Sequence, residues 1–201
     1  MSHQVLSQRQ MINRIFKDLC GFSIPKNEEQ VIKTSKGSAV YGEITLASMD
    51  KLLNKLNLGP NDYFYDLGSG VGKLVLYTAI NTPVKKSIGI ELSESRHQEA
   101  SIAYKRSLEW FPQVKNRSIF VNDDIMTANI KQPSVIYTCS TAFSIKFMKD
   151  LTLRLAAIKN DFRLVSLQEL PKNKNFELEE ILKLDMTWVR KTPVYVYQKI
   201  L

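Results

Sequence analysis

Asp66-Leu67-Gly68-Ser69-Gly70-Val71-Gly72 joins two apolar runs, Tyr63 to Leu67 and Lys73 to Ile80. The first has the length of a buried strand and the second reads as a helix. Three glycines in five residues permit a tight turn with positive φ and let a ligand approach the backbone closely. The helix start behind them offers free N–H groups to an anionic group. Glu91 stands nineteen residues after Gly72, at the end of the next expected strand, Lys86 to Glu91. A carboxylate there can accept hydrogen bonds from both ribose hydroxyls of an adenosine cofactor.

Outward from that loop the chain alternates. A helix is expected over Glu94–Trp110, a strand over Ser118–Asn122 and another over Ser134–Thr138. A helix over Phe143–Ile158 and a strand over Arg163–Leu167 follow. Repeated βα units require a mostly parallel sheet with helices on both faces, so the fold class is α/β. Phe176–Leu184, Met186–Val189 and Val194–Gln198 read as strands without intervening helices, an antiparallel hairpin at one edge. Upstream, Ser7–Leu19 has a helical period with Gly21 after it, residues 22–40 are polar and irregular, and Thr45–Leu58 is a helix closed by the Gly59-Pro60-Asn61-Asp62 turn.

A chain of 201 residues with 44% hydrophobic and 24% charged residues forms an ordinary globular core without staples. The run from Leu74 to Ile80 is too short to span a bilayer, and Met1 to Gln4 lacks the features of a signal peptide. Two cysteines, Cys20 and Cys139, give neither a disulfide framework nor a cysteine zinc site, so no metal is expected and the compartment is read as cytoplasmic. Neither His3 nor His97 falls in a motif. The net charge of +8 divides into +3 over residues 1–60, +1 over 61–140 and +4 over 141–201. It is a solvated surface that also suits a polyanion such as nucleic acid.

Two cofactor classes fit the loop. A dinucleotide site asks for G-x-G-x-x-G, whose third glycine falls at position 73, where Lys73 stands. The observed G-x-G-x-G after Asp66 looks like the motif of Rossmann-like S-adenosylmethionine (SAM) methyltransferases. Asp123 and Asp124 directly follow the third strand, where a carboxylate can receive the adenine amino group and Ile125 can pack on the ring, or where it can simply cap a helix or turn. After the fourth strand the chain reads Thr138-Cys139-Ser140-Thr141, without the Asn/Asp-Pro-Pro-Tyr of enzymes that methylate planar nitrogens. Cys139 is read as a small buried residue rather than a nucleophile. Trp188 and the tyrosines at 195 and 197 are read as sheet-edge core, with a substrate platform as the alternative.

Tyr41-Gly42-Glu43, about 25 residues before the loop, sharpens the reading. Together with Asp66–Gly72, Ser87–Glu91, Asp124 and Ala142-Phe143, it resembles the disruptor-of-telomeric-silencing family, Rossmann-like lysine methyltransferases without a SET domain. Met186-Thr187-Trp188 with Val194–Tyr197 looks like the closing hairpin of bacterial proteins grouped with that family. The resemblance covers roughly residues 38–200. It implies a SAM-binding methyltransferase domain over 41–201 behind an N-terminal helical extension over 1–40. It implies that Tyr41 and Glu43 line the amino-acid end of SAM with Thr45 nearby, and that Asp66, Gly68, Ser69 and Gly70 form the loop beneath the cofactor. Glu91 then holds the ribose, and Asp124 with Ile125 the adenine. Phe143 sits by the channel for a substrate lysine, with Tyr41 as its other catalytic wall.

The chain departs from that pattern at two places: Lys73 stands where the family has Gln or Asn, and Cys139-Ser140 where it has Asn. The expected reaction is methyl transfer to a nitrogen, a protein lysine first. Methylation of RNA or of a small molecule, and a SAM-binding module without turnover, are the alternatives at this level.

Overall fold

The computed structural model describes residues 6–200, and Met1–Gln4, with His3, lie outside the described residues. Three helices precede the sheet: α1 (Gln8–Ile15), α2 (Lys26–Thr34) and α3 (Leu46–Leu56). Ser7 starts α1 through a reciprocal capping box with Gln10, and Ile12 and Ile15 form its buried face. The helix stops at Ile15 rather than Leu19, because the chain turns at Asp18, whose φ is 65°. The segment expected to be irregular, 22–40, contains α2. Pro25 precedes it, Glu28 and Glu29 fill its first turn, and Ile32 is its one buried residue. A single buried side chain leaves no apolar period in the sequence.

The sheet has seven strands: β1 (Tyr63–Leu67), β2 (Lys86–Glu91), β3 (Ser118–Asn122), β4 (Val135–Thr138), β5 (Arg163–Ser166), β6 (Phe176–Leu184) and β7 (Thr192–Lys199). Their spatial order is β3-β2-β1-β4-β5-β7-β6. The first five pair in parallel, while β7 runs antiparallel to β5 and β6 antiparallel to β7. Helices α4 (Lys73–Asn81), α5 (Glu94–Ser107) and α6 (Ile145–Ala156) supply the crossovers. The result is the expected α/β Rossmann-like sheet with an antiparallel C-terminal edge.

Alternate residues of the strands serve opposite faces. Phe64, Val135, Tyr137 and Val165 join Ile12, Ile15, Leu52, Leu56 and Leu76 in one apolar cluster. Tyr65, Leu67, Ile136 and Leu164 join Leu151 and Leu155 of α6 in the other. The described N-terminal residues thus share a core with the sheet.

Met186–Val189 is not a strand. Met186 N–H returns to the carbonyl of Val189 at 2.9 Å, closing a turn. That turn clips onto the segment before α3. Ile44 forms an isolated antiparallel bridge with Met186, Thr187 N–H donates to Glu43 O at 2.8 Å, and Thr45 N–H donates to Asp185 O at 3.1 Å.

Candidate functional site

Strand order reverses between β1 and β4, and the carboxyl ends of the parallel strands open there into a crevice. The register sets Asp66 beside Gly89 on one side and beside Tyr137 on the other. The glycine loop leaves β1 with positive φ at Gly68 (81°), Gly70 (55°) and Gly72 (79°), as read from its sequence. Gly68 and Ser69 N–H donate to Ile90 O at 2.8 and 3.1 Å, which stitches the loop to β2. Glu91 secures it further: one carboxylate oxygen accepts from Gly70 N–H at 2.8 Å and the other from Ser93 N–H at 2.9 Å. The carboxylate is therefore buried and fixed in direction, as a hydrogen-bond acceptor for a diol must be.

A cavity of about 380 Å³ lies over this loop. That is within the range of small-ligand sites, roughly 300–1,000 Å³. Tyr41, Glu43, Asp66, Gly68, Ser69, Glu91, Asp124, Ile125 and Phe143 all line it, so nine positions scattered over a hundred residues of sequence converge. Gly70 serves from behind through its bond to Glu91. Thr45 is the exception among the expected residues. It is the N-terminal flanking residue of α3, and its backbone is held by Asp185 rather than turned to the cavity lining.

Each wall has its own chemistry. Asp124 caps the turn after β3 by accepting from Met126 N–H at 2.8 Å, and Ile125 beside it is buried. Glu43 accepts from the Tyr41 hydroxyl and pairs with the ammonium of Lys73. Burial and the Glu43 charge push the Tyr41 phenol upward, so it remains a hydrogen-bond donor. Burial, with Glu91 adding to it, pushes the Asp66 carboxyl up to about 8. Burial and then the Asp66 charge push the Cys139 thiol up to about 12, which favours the thiol over the thiolate. Phe143 packs on Phe147 with ring centroids 4.7 Å apart, and its carbonyl accepts from Gln168 Nε2–H at 3.0 Å.

Four features of the site escaped sequence reasoning. Tyr137 lines the cavity with a buried hydroxyl that has no partner among the described residues. Such an orphaned donor calls for a ligand or water. Ile32, Ser35, Gly37 and Ser38, from α2 and the loop after it, form a further wall. Lys73 faces inward to Glu43. Trp188, expected in the sheet-edge core, is 47% exposed and lines the cavity instead. The turn at 186–189 carries it out of the sheet onto Gly42, where a Cβ would lie 2.2 Å from the indole. The two tyrosines do belong to the sheet: Tyr197 is buried, and it stacks with Tyr195 at 6.3 Å.

The residues suit an adenosyl cofactor with a free amino-acid end: a diol acceptor in Glu91, an apolar and carboxylate corner at Ile125 and Asp124, and charges of both signs at Glu43 and Lys73. They suit a pyrophosphate poorly, since Lys73 stands where the third glycine of a dinucleotide loop would be.

Residues 23–191 match the family described as histone methylation protein DOT1. The H3 lysine-79 specific histone-lysine N-methyltransferase of Caenorhabditis elegans is 32% identical over 164 residues, which cover 77% of this chain and 17% of that protein. The Drosophila melanogaster protein of the same name is 28% identical over 134 residues, 63% of this chain and 7% of its own length. The chain therefore spans less than a fifth of either relative. Among solved structures, an RNA methyltransferase from Salinibacter ruber in complex with S-adenosyl-L-homocysteine superposes with a TM-score of 0.56 at 18% identity, covering 77% of this chain and 90% of that one. TrmN from Thermus thermophilus gives 0.55 at 17% identity, over 76% of this chain and 48% of that one. At such identities the likeness is one of fold.

Proposed function

The chain belongs to the DOT1 histone methylation family, and from that premise we propose that it transfers a methyl group from SAM to the side-chain nitrogen of a protein lysine. The observation that carries the reading is the convergence on one cavity of the Glu91-braced glycine loop, the Tyr41–Glu43 segment, Phe143 and Trp188. When bound, SAM supplies a methyl carbon activated by its sulfonium. Glu91 holds the ribose, Asp124 and Ile125 hold the adenine, and Glu43 with Asp66 faces the amino-acid end.

An acceptor nitrogen aligned with the sulfur–carbon bond would take up the methyl group, with S-adenosylhomocysteine as the leaving product. The amine must be neutral to attack, whereas a lysine in water has a pKa of about 10.4. Walls of Phe143, Phe147 and Trp188 disfavour an ammonium by desolvation, so the proton leaves to water before transfer. Alignment and exclusion of water then do most of the work, without a strong general base. Histone H3 is the first acceptor to try, because the relatives are named for its lysine 79. A cytoplasmic location belongs to the same reading.

Calorimetric titration with S-adenosylhomocysteine and with NAD, followed by transfer of labelled methyl to nucleosomes, lysate proteins and RNA, tests it. Micromolar affinity for the first ligand alone and label on protein lysine are the expected results. Binding of NAD, or label confined to RNA, would overturn the reading.

A further inference from the structure

Arg96 lies in the first turn of α5, where the helix dipole favours acids, and is 4% exposed. An arginine buried at the wrong end of a helix is there for what it touches. Its Nε–H donates to Gly21 O at 2.8 Å and an Nη2–H to Ala39 O at 2.7 Å. Its guanidinium carbon stands 4.9 Å from the centroid of the Tyr41 ring. The same helix start makes a second clasp: Glu28 of α2 accepts from Ser95 N–H at 3.2 Å and from Ser95 Oγ–H at 2.8 Å.

Between these clasps runs the wall of the cavity formed by Ile32, Ser35, Gly37, Ser38 and Val40. Over residues 35–40 every other hydrogen bond among the described residues is local, such as Gly37 N–H to Ile32 O and Val40 N–H to Ser38 Oγ. The bond from Arg96 to Ala39 is thus the tether of that stretch to the body of the protein.

We propose that Arg96 is a positioning residue that fastens the 21–41 segment over the cofactor cavity, sets the Tyr41 ring, and thereby governs cofactor affinity. The inference rests on the SAM-dependent reading. The guanidinium supplies two directed donors and a flat cation for the tyrosine face. Methionine at position 96 would fill the volume and strand both carbonyls.

The test compares wild type, Arg96→Met and Arg96→Lys. It measures calorimetric affinity for S-adenosylhomocysteine, melting temperature without ligand, and hydrogen exchange of residues 35–40. Arg96→Met is expected to weaken binding by about tenfold or more, and to speed exchange at 35–40 while α6 stays protected. Arg96→Lys, which keeps the cation over Tyr41 and one donor, is expected to fall between. In turnover, the KM for SAM rises and kcat at saturation holds.

A merely structural role would lower the melting temperature and leave the affinity of the folded protein unchanged, which overturns the proposal. If Arg96→Met does not fold, Arg96→Lys decides, and wild-type affinity in that variant overturns it too. Wild type without affinity for S-adenosylhomocysteine overturns the underlying reading instead.

Discussion

The ammonium of Lys73 is ion-paired with the carboxylate of Glu43 within the cavity, and lies 5.2 Å from the centroid of the Phe16 ring. The pair presents both charges that a zwitterionic amino-acid end needs to meet. Glu43→Gln removes the acidic half and leaves the cation without its partner. It is expected to weaken binding of S-adenosylhomocysteine by about tenfold, while 5′-methylthioadenosine, which lacks the amino-acid end, is affected far less. Lys73→Gln still donates to Glu43 and is expected to retain most of the affinity. Equal losses for the two nucleosides would remove Glu43 from the amino-acid end.

Asp66 has a folded-state pKa of about 8, raised by burial and then by the Glu91 charge. Its unfolded value is about 3.9. The folded state therefore holds the proton more tightly, so the group's stabilising contribution is complete below pH 4 and is lost as pH rises to 8. Asp66→Asn is expected to flatten the fall of melting temperature between pH 5 and 8 and to raise it at pH 8, while weakening cofactor binding. A pH profile identical to wild type would show that the carboxyl is ionised at no cost.

The glycine loop, the alternation of strands and helices, and Glu91 were legible because each depends on local chemistry: positive φ, period, and a fixed distance along the chain. Asp124 was legible from its place just after a strand whose position had to be inferred, and Phe143 only through the family resemblance. Helix α2 was not, since it buries Ile32 alone and its Glu28 is held by Ser93 and Ser95 at the start of α5. Trp188 was misplaced for a related reason. An aromatic residue between two strands has the same sequence signature whether it enters the sheet or swings out over a glycine 146 residues earlier.

That swing makes Gly42 and Trp188 one unit. Trp188→Ala removes a half-exposed ring and is expected to leave folding and S-adenosylhomocysteine affinity near wild type, while kcat/KM for the protein acceptor falls by about tenfold. Gly42→Ala would set a Cβ 2.2 Å from the indole and drive it off, so the same profile is expected from a substitution that removes no side chain. Divergent profiles, with only Trp188→Ala impaired, would mean that the indole tolerates displacement.

Cysteine chemistry separates the cavity from the surface. Cys20 is exposed, whereas the Cys139 thiol is pushed up to about 12 by burial and then by Asp66, and sits 3.8 Å from Gly42 O. At pH 8 almost none of it is thiolate, and thiolate is the form that alkylates. Iodoacetamide followed by peptide mass spectrometry is expected to label Cys20 in the native protein and to reach Cys139 only after denaturation. Cys139→Ser should keep its turnover, because the sulfur holds no proton that the reaction uses. Rapid native labelling of Cys139, suppressed by S-adenosylhomocysteine, would instead place a reactive thiolate in the cavity and reopen its part in the chemistry.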